Sequence, residues 1–222
     1  MSHTWIICSY RPSQKKKAMI TKELFESGYS YSAYGEMIAD KFANGETTGP
    51  IQTPEKLEFT KINIQRMHRL DKTIQVVPEI LTQFQRLNCK LNWLILAEAW
   101  CGDAAQNLPV LNKLAEACPK IKLRILLRDE HLKIMDEYLT DGGRAIPKLI
   151  LMNEQMEVIG TWGPRPKVAQ DMVIENKRIG KIPYSEFAVV VQKWYLQDKG
   201  LTIQQEILQI VESSKCLAMK VH

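Results

Sequence analysis

Apolar and polar positions alternate with two different periods along this chain, and the change falls near residue 91. Before it, the spacing is helical. Residues 20–43, ITKELFESGYSYSAYGEMIADKFA, read as helix. Residues 44–54, NGETTGPIQTP, read as a loop from their Gly, Thr and Pro content. Pro54 then stands where a helix begins, and apolar side chains follow at Leu57, Phe59, Ile62, Ile64, Met67 and Leu70. A further helix is predicted from Pro78 to Leu87.

From Leu91 the texture becomes that of strands and helices in turn. LNWLILAEAW is an apolar run short enough for a buried strand. Asp103 to Cys118 has apolar residues at 104, 108, 111, 115 and 118, one helical face. In IKLRILLR the apolar residues Ile121, Leu123, Ile125 and Leu127 alternate with mostly cationic ones, a strand pattern. EHLKIMDEYL reads as a helix ended by Gly142-Gly143. IPKLILMN and MEVIGTW read as two strands of a hairpin across Asn153-Glu154-Gln155. PRPKVAQDMVIENKR, SEFAVVVQKWYLQDKG and TIQQEILQIVESS complete the chain as helices. The order strand, helix, strand, helix, strand, strand, helix implies a small mixed sheet covered by helices on both faces, an α/β architecture. The expected organisation is a disordered tail at 1–18 (with Met19 an alternative start), a helical extension at 19–74, the α/β domain at 75–182 and C-terminal helices at 183–222.

Composition narrows the function classes. With 45% hydrophobic and 25% charged residues the chain can bury a real core. The net charge of +5 owes part of its value to Lys15-Lys16-Lys17, a solvated run and not a nucleic-acid signature. No apolar run approaches the ~20 residues of a membrane helix. The basic cluster follows a short apolar stretch, the reverse of a secretory signal, so cytoplasmic residence is expected. Cys8, Cys89, Cys101, Cys118 and Cys216 match neither a disulfide framework nor a zinc spacing, and reduced, mostly buried thiols are expected. His3, His68, His131 and His222 are too scattered to suggest a metal site, and nothing calls for a cofactor.

The chemistry is concentrated in WCGDAAQNLP, residues 100–109. Trp100-Cys101-Gly102 falls at a strand-to-helix turn, Pro109 lies eight residues after Cys101, and Pro147 in AIPKLIL lies 46 residues after it. Together with GTWGPRP at 160–166, these residues resemble a thioredoxin-like fold, and in particular the bacterial branch of that family whose site reads Trp-Cys-Gly-Asp. The resemblance covers about residues 75–180. It implies that Cys101 is the catalytic thiol, that Pro147 is the cis-proline, and that Ile146 presents its backbone to an extended substrate. Trp100, Gly102 and Asp103 would line the substrate site, with Trp162 and Arg165 as rim or packing residues. The family's resolving cysteine is replaced by Ala104, and its buried aspartate position falls on Ile95.

A thiol at a helix N-terminus faces free N–H groups and the positive end of the helix dipole, which favour the thiolate. Asp103 is either a helix cap or an acid that opposes that charge. The expectation is a reactive Cys101 with a pKa depressed less than its position alone would allow. Glu98 could take the place of the missing aspartate, or could face solvent at the strand end. Cys118 and Cys89 lie roughly 25 Å or more from Cys101 at helical or strand rise, beyond disulfide reach, while Cys8 and Cys216 remain weak resolving candidates. Two functions follow. In the first, Cys101 alone forms mixed disulfides with protein thiols or disulfides, or with a low-molecular-weight thiol such as glutathione or bacillithiol. In the second, a redox-inactive module binds a partner peptide at the cis-proline groove. Neither involves nucleic acid or a membrane.

Overall fold

The computed structural model describes residues 20–180, 182–214 and 216. The expected tail at 1–18, with Cys8, lies outside them. Four strands form one sheet, β1 (Leu91–Ala97), β2 (Ile121–Leu127), β3 (Lys148–Met152) and β4 (Val158–Trp162), in the order β2-β1-β3-β4. β1 runs parallel to β2, from Leu91 opposite Ile121 to Ala97 opposite Leu127. It runs antiparallel to β3, with Ile95 opposite Leu149, and β3 pairs antiparallel with β4. This is the mixed sheet expected of a thioredoxin-like fold.

Side chains of successive strand residues point to opposite faces, and here both faces are covered. Trp93, Ile95, Ala97, Leu149 and Leu151 join the larger core, while Leu94, Leu96, Ile150 and Met152 join the smaller one. That explains why β1 reads as a continuous apolar run and not as an alternation. The larger core is closed by α2 (Tyr31–Ala43), α3 (Pro54–Thr73), α4 (Pro78–Gln85), α5 (Gly102–Glu116) and α9 (Leu201–Ser213). The smaller is closed by α1 (Lys22–Ser27), through Phe25, and by α6 (Leu132–Met135), through Ile134 and Met135. A separate cluster of Ala169, Phe187, Val191 and Tyr195 joins α7 (Lys167–Ile179) to α8 (Tyr184–Asp198).

Three local expectations are corrected. The stretch 20–43 is two helices, because Ser30 caps a new one through its hydroxyl and the intervening Tyr29 bridges to Ile125 instead. EHLKIMDEYL holds only the single turn of α6, after which the chain bends toward Gly142-Gly143. In α3 the buried face includes Thr60 and Asn63, whereas Phe59 is 44% exposed. Those polar residues are buried because each has a partner: Thr60 meets Thr47 of the preceding loop, and Asn63 donates to the Ala99 carbonyl.

The cysteine expectation also changes. Cys89 and Cys216 form a disulfide, with Cα atoms 5.4 Å apart across 127 residues of sequence. α9 carries Cys216 back to the loop before β1, where Asn88 N–H donates to the Cys216 carbonyl. Cys216 is therefore no resolving partner for Cys101. Of the remaining described cysteines, Cys118 is buried and Cys101 half-buried, both as thiols.

Candidate functional site

β1 ends at Ala97, and residues 98–101 turn the chain into α5, with Cys101 N–H donating to the Glu98 carbonyl at 3.1 Å. Cys101 is the N-cap of α5, and its sulfur accepts the Ala104 N–H at 3.5 Å. On the neighbouring strand, Leu96 stands opposite Lys148. The residues just beyond that register, Cys101 and Pro147, therefore meet at one end of the sheet. The Ile146–Pro147 bond is cis, and the Cys101 thiol donates to the Ile146 carbonyl at 3.2 Å.

Burial pushes the Cys101 pKa up to about 12, the Asp103 carboxylate adds to the rise, and the N–H groups of Ala104 and Asp103 oppose it. Desolvation thus outweighs the helix N-terminus, and the expectation of a depressed pKa is overturned. Ala104, where the resemblance places a resolving cysteine, is itself 1% exposed.

Asp103 is neither a simple cap nor a free acid. Its Oδ2 accepts from Arg165 Nε at 3.1 Å and Nη2 at 2.5 Å, and its Oδ1 accepts the Tyr195 hydroxyl at 2.9 Å. Asn107 donates to the Asp103 carbonyl and to the Tyr195 oxygen. The carboxylate therefore ties α5 to the GTWGPRP loop and to α8. Gln106 adds a second link by donating to Gln192 of α8 at 2.7 Å. A side chain on Gly102 would meet Arg66 of α3 and Gln192 of α8, so these two helices crowd the turn.

Trp100 is half-buried, with Lys56 Nζ 4.2 Å and Arg128 Cζ 5.1 Å from its ring centroid. Its indole N–H is buried without an acceptor. Trp162 belongs to the core and donates to Glu206, so it does not rim the surface. Glu98 is fully buried, which removes the solvent-facing alternative. Burial raises its pKa, while the Thr48 hydroxyl and the Asp129 N–H favour its charge.

Ile146 and Pro147 are buried as well. A second cis bond, Gly163–Pro164, lies against the first, and Gly163 has a φ of 109°. A β-carbon there would collide with the Pro147 carbonyl oxygen. Gly163→Ala is expected to destabilise the chain by about 2–4 kcal/mol, through backbone strain and collision together. A urea midpoint within error of the parent would show that the loop yields without loss.

Several site residues carry no signal in the sequence. Thr48, Asn63, Arg66 and Tyr195 come from α3, α8 or the loop at 44–53, and each reaches the site through a contact at least 36 residues distant in sequence. Among the described residues no His, Cys, Asp and Glu cluster could hold a metal, and no helix is long and apolar enough to cross a membrane.

A mixed sheet covered by helices on both faces, with a thiol at the head of α5 and a cis-proline facing it, defines a thioredoxin-like protein. A family model described as "Thioredoxin" matches residues 51–178, and the chain belongs to that family. Two solved structures share the fold. An HIV epitope-scaffold is 17% identical with a TM-score of 0.56, covering 86% of this chain and 96% of that one. A protein of unknown function from Pseudomonas aeruginosa is 18% identical with a TM-score of 0.53, covering 84% and 99%. No curated protein matches the chain.

Proposed function

We propose that this chain is a redox-quiet thioredoxin-fold module that holds a partner peptide at the cis-proline end of the sheet. One observation carries the reading: the Cys101 S–H donates to the Ile146 carbonyl. Thiol–disulfide exchange needs a thiolate, and peptide pairing needs a backbone carbonyl with room for an amide. Here each group occupies the other. The S–H is a weak donor, so a partner's amide N–H makes a better bond to that carbonyl and displaces it. The thiol acts as a placeholder for the partner. Such a partner meets the chain where Cys89–Cys216 stays oxidised, which sits against the cytoplasmic residence expected from the sequence.

A second reading is favoured by the place of the thiol, which caps α5 with the Ala104 N–H on its sulfur and faces the cis-proline. Cys101, once deprotonated, attacks a disulfide, forms a mixed disulfide with a protein or a small thiol, and releases the other half as thiolate. An external thiol then resolves it, since Ala104 cannot. Ala104→Cys separates the two readings, because residues three apart on a first helical turn are neighbours. If thiolate is what the site lacks, insulin reduction driven by dithiothreitol stays near background in both the parent and Ala104→Cys. Turnover in Ala104→Cys comparable to a dithiol thioredoxin would establish exchange and overturn the redox-quiet reading.

A further inference from the structure

We propose that α7 and α8 form a lid over the turn that follows Cys101, held shut by a polar latch, and that lifting it uncovers the thiol. Such a lid controls access to the site whichever of the two chemistries the site serves.

α7 and α8 bury their apolar side chains against each other. Ala169, Phe187, Val191 and Tyr195 form a cluster of their own, with Met172, Val173 and Trp194 packed on it, apart from the two cores that flank the sheet. The pair can therefore move as one body without opening either core. The outer side of α8 gives no second hold, since Val189, Val190 and Leu196 are exposed there.

What fastens α8 to the rest of the chain is polar, and it falls on the first turns of α5. The Tyr195 hydroxyl donates to Asp103 Oδ1 at 2.9 Å and accepts from Asn107, while Gln192 accepts from Gln106 at 2.7 Å. Gln192 also stands against Gly102, where a β-carbon would come within 3.4 Å of its amide nitrogen. α8 thus sits on the two residues that directly follow the thiol. On opening, these side chains find water instead, so the net hold of each bond is small. Arg165 and the Lys167 N–H, bonded to Asp103 and Glu206, lie at or before the first residue of α7 and stay with the loop that precedes it. At the far end of α8 the chain passes through two left-handed residues in succession, Lys199 at a φ of 54° and Gly200 at 73°. α9 beyond them is fixed, through Ile203, Ile207 and Val211 in the larger core and through Gln204 on the backbone of Gln75 and Val77. Lys199–Gly200 is the pivot and α9 its post, the arrangement in which a few residues at an element's end absorb a hinge motion.

The test combines hydrogen–deuterium exchange with iodoacetamide labelling of Cys101, both on the full chain. In the parent, the amides of α7 and α8 should lose protection together, at least about tenfold sooner than those of β1 and α9, as a unit that opens below global unfolding. Protection equal to that of β1 and α9 would make the pair part of the global core and overturn the lid. Gln192→Ala/Tyr195→Phe removes both latch contacts and keeps the ring in its apolar cluster. It should speed exchange in α7 and α8, and labelling of Cys101, by about tenfold each, and leave β1 and α9 as they were. Loss of the Tyr195 donor also leaves the Asp103 charge less answered, which by itself holds the proton on sulfur and slows labelling. Faster labelling therefore reports uncovering and not electrostatics. Lys193→Gln, on the exposed side of α8, should match the parent in both measurements. Equal acceleration in Lys193→Gln would overturn the latch. Faster exchange in α7 and α8 with labelling unchanged or slower would show that the pair does not cover the thiol, and the proposal would fail. A latch variant that loosens β1 and α9 as much as α8 would overturn it too.

Discussion

At pH 7, Cys101 should react with iodoacetamide about a hundredfold more slowly than a cysteine in an unfolded peptide. A pKa of about 12 leaves roughly one thiol in 10⁵ ionised at pH 7, against about 3% for an ordinary cysteine near 8.5. That deficit is about 3,000-fold. The more basic thiolate is intrinsically the better nucleophile, and a Brønsted slope of about 0.4–0.5 over some 3.5 units returns roughly 40-fold. The remainder is the expected hundredfold, and peptide mapping after labelling locates the modified cysteine. The rate should climb about tenfold per pH unit between pH 7 and 10 with no plateau. Asp103→Asn removes a neighbouring charge that holds the proton on sulfur and leaves Arg165 to favour the thiolate, so labelling should accelerate about tenfold. A plateau near pH 8–9 would mean that the thiol ionises normally, and the exchange reading would then hold.

The same proton affects stability at high pH. The folded-state pKa lies above the unfolded value, so the contribution is fully present below about pH 9 and is lost as pH rises toward 12. Moving the thiol from an ordinary pKa near 9 to about 12 corresponds to something on the order of 4 kcal/mol. Cys101→Ser, whose hydroxyl does not titrate in this range, should lose less stability than the parent between pH 9 and 11. Parallel urea midpoints across that window would count against a buried proton.

Reducing Cys89–Cys216 should lower the unfolding free energy by about 5 kcal/mol on the chain-entropy account, because the bond closes a loop of 127 residues. The loss is comparable with the whole stability of many domains. It should appear as a drop of many degrees in Tm on adding a dithiol reductant, and Cys89→Ser should reproduce it without reductant. Cys118→Ser, a change in the core that touches no disulfide, separates the loss of a cross-link from the loss of a buried sulfur. An unchanged Tm under reduction would mean that α9 is held by its apolar face alone, through Ile203, Ile207 and Val211. On protein taken from its own cell, intact mass after alkylation distinguishes a bonded pair from two free thiols. Free thiols would restore the reducing compartment suggested by the sequence.

The frame was legible because it rests on local period. Alternation in β2, continuous apolarity in β1 and β3, and the helical face of α5 at Ala104, Leu108, Leu111 and Ala115 each follow from burial on one or two sides. The turn holding Cys101 and the strand headed by Pro147 were legible from spacing. The electrostatics were not. The pKa of Cys101 is set by burial, and that burial depends on residues distant in sequence. Asp103 looked like a cap or an opposing charge because Arg165 and Tyr195, its actual partners, lie 62 and 92 positions away. Thr48, Thr60 and Asn63 gave no sign of burial in the sequence, because a polar side chain is buried only when a partner waits for it. The Cys89–Cys216 pair was invisible for the same reason: neither cysteine's neighbours in sequence say what α9 brings back.

The bridge between Tyr29 and Ile125 has a consequence for association between molecules. β2 is an outer strand of the sheet, and an outer strand with unpaired N–H and C=O groups is a template on which another chain can pair. Tyr29 and Ile125 exchange both backbone hydrogen bonds at 2.8 Å, so one segment of that template is already occupied from within. Glu26 of α1 meets Lys122 and Arg124 of the same strand, setting charge along the rest of it. The short segment between α1 and α2 thereby acts as a guard against edge-to-edge aggregation, and shortening it would expose a strand whose next neighbour is another copy of itself.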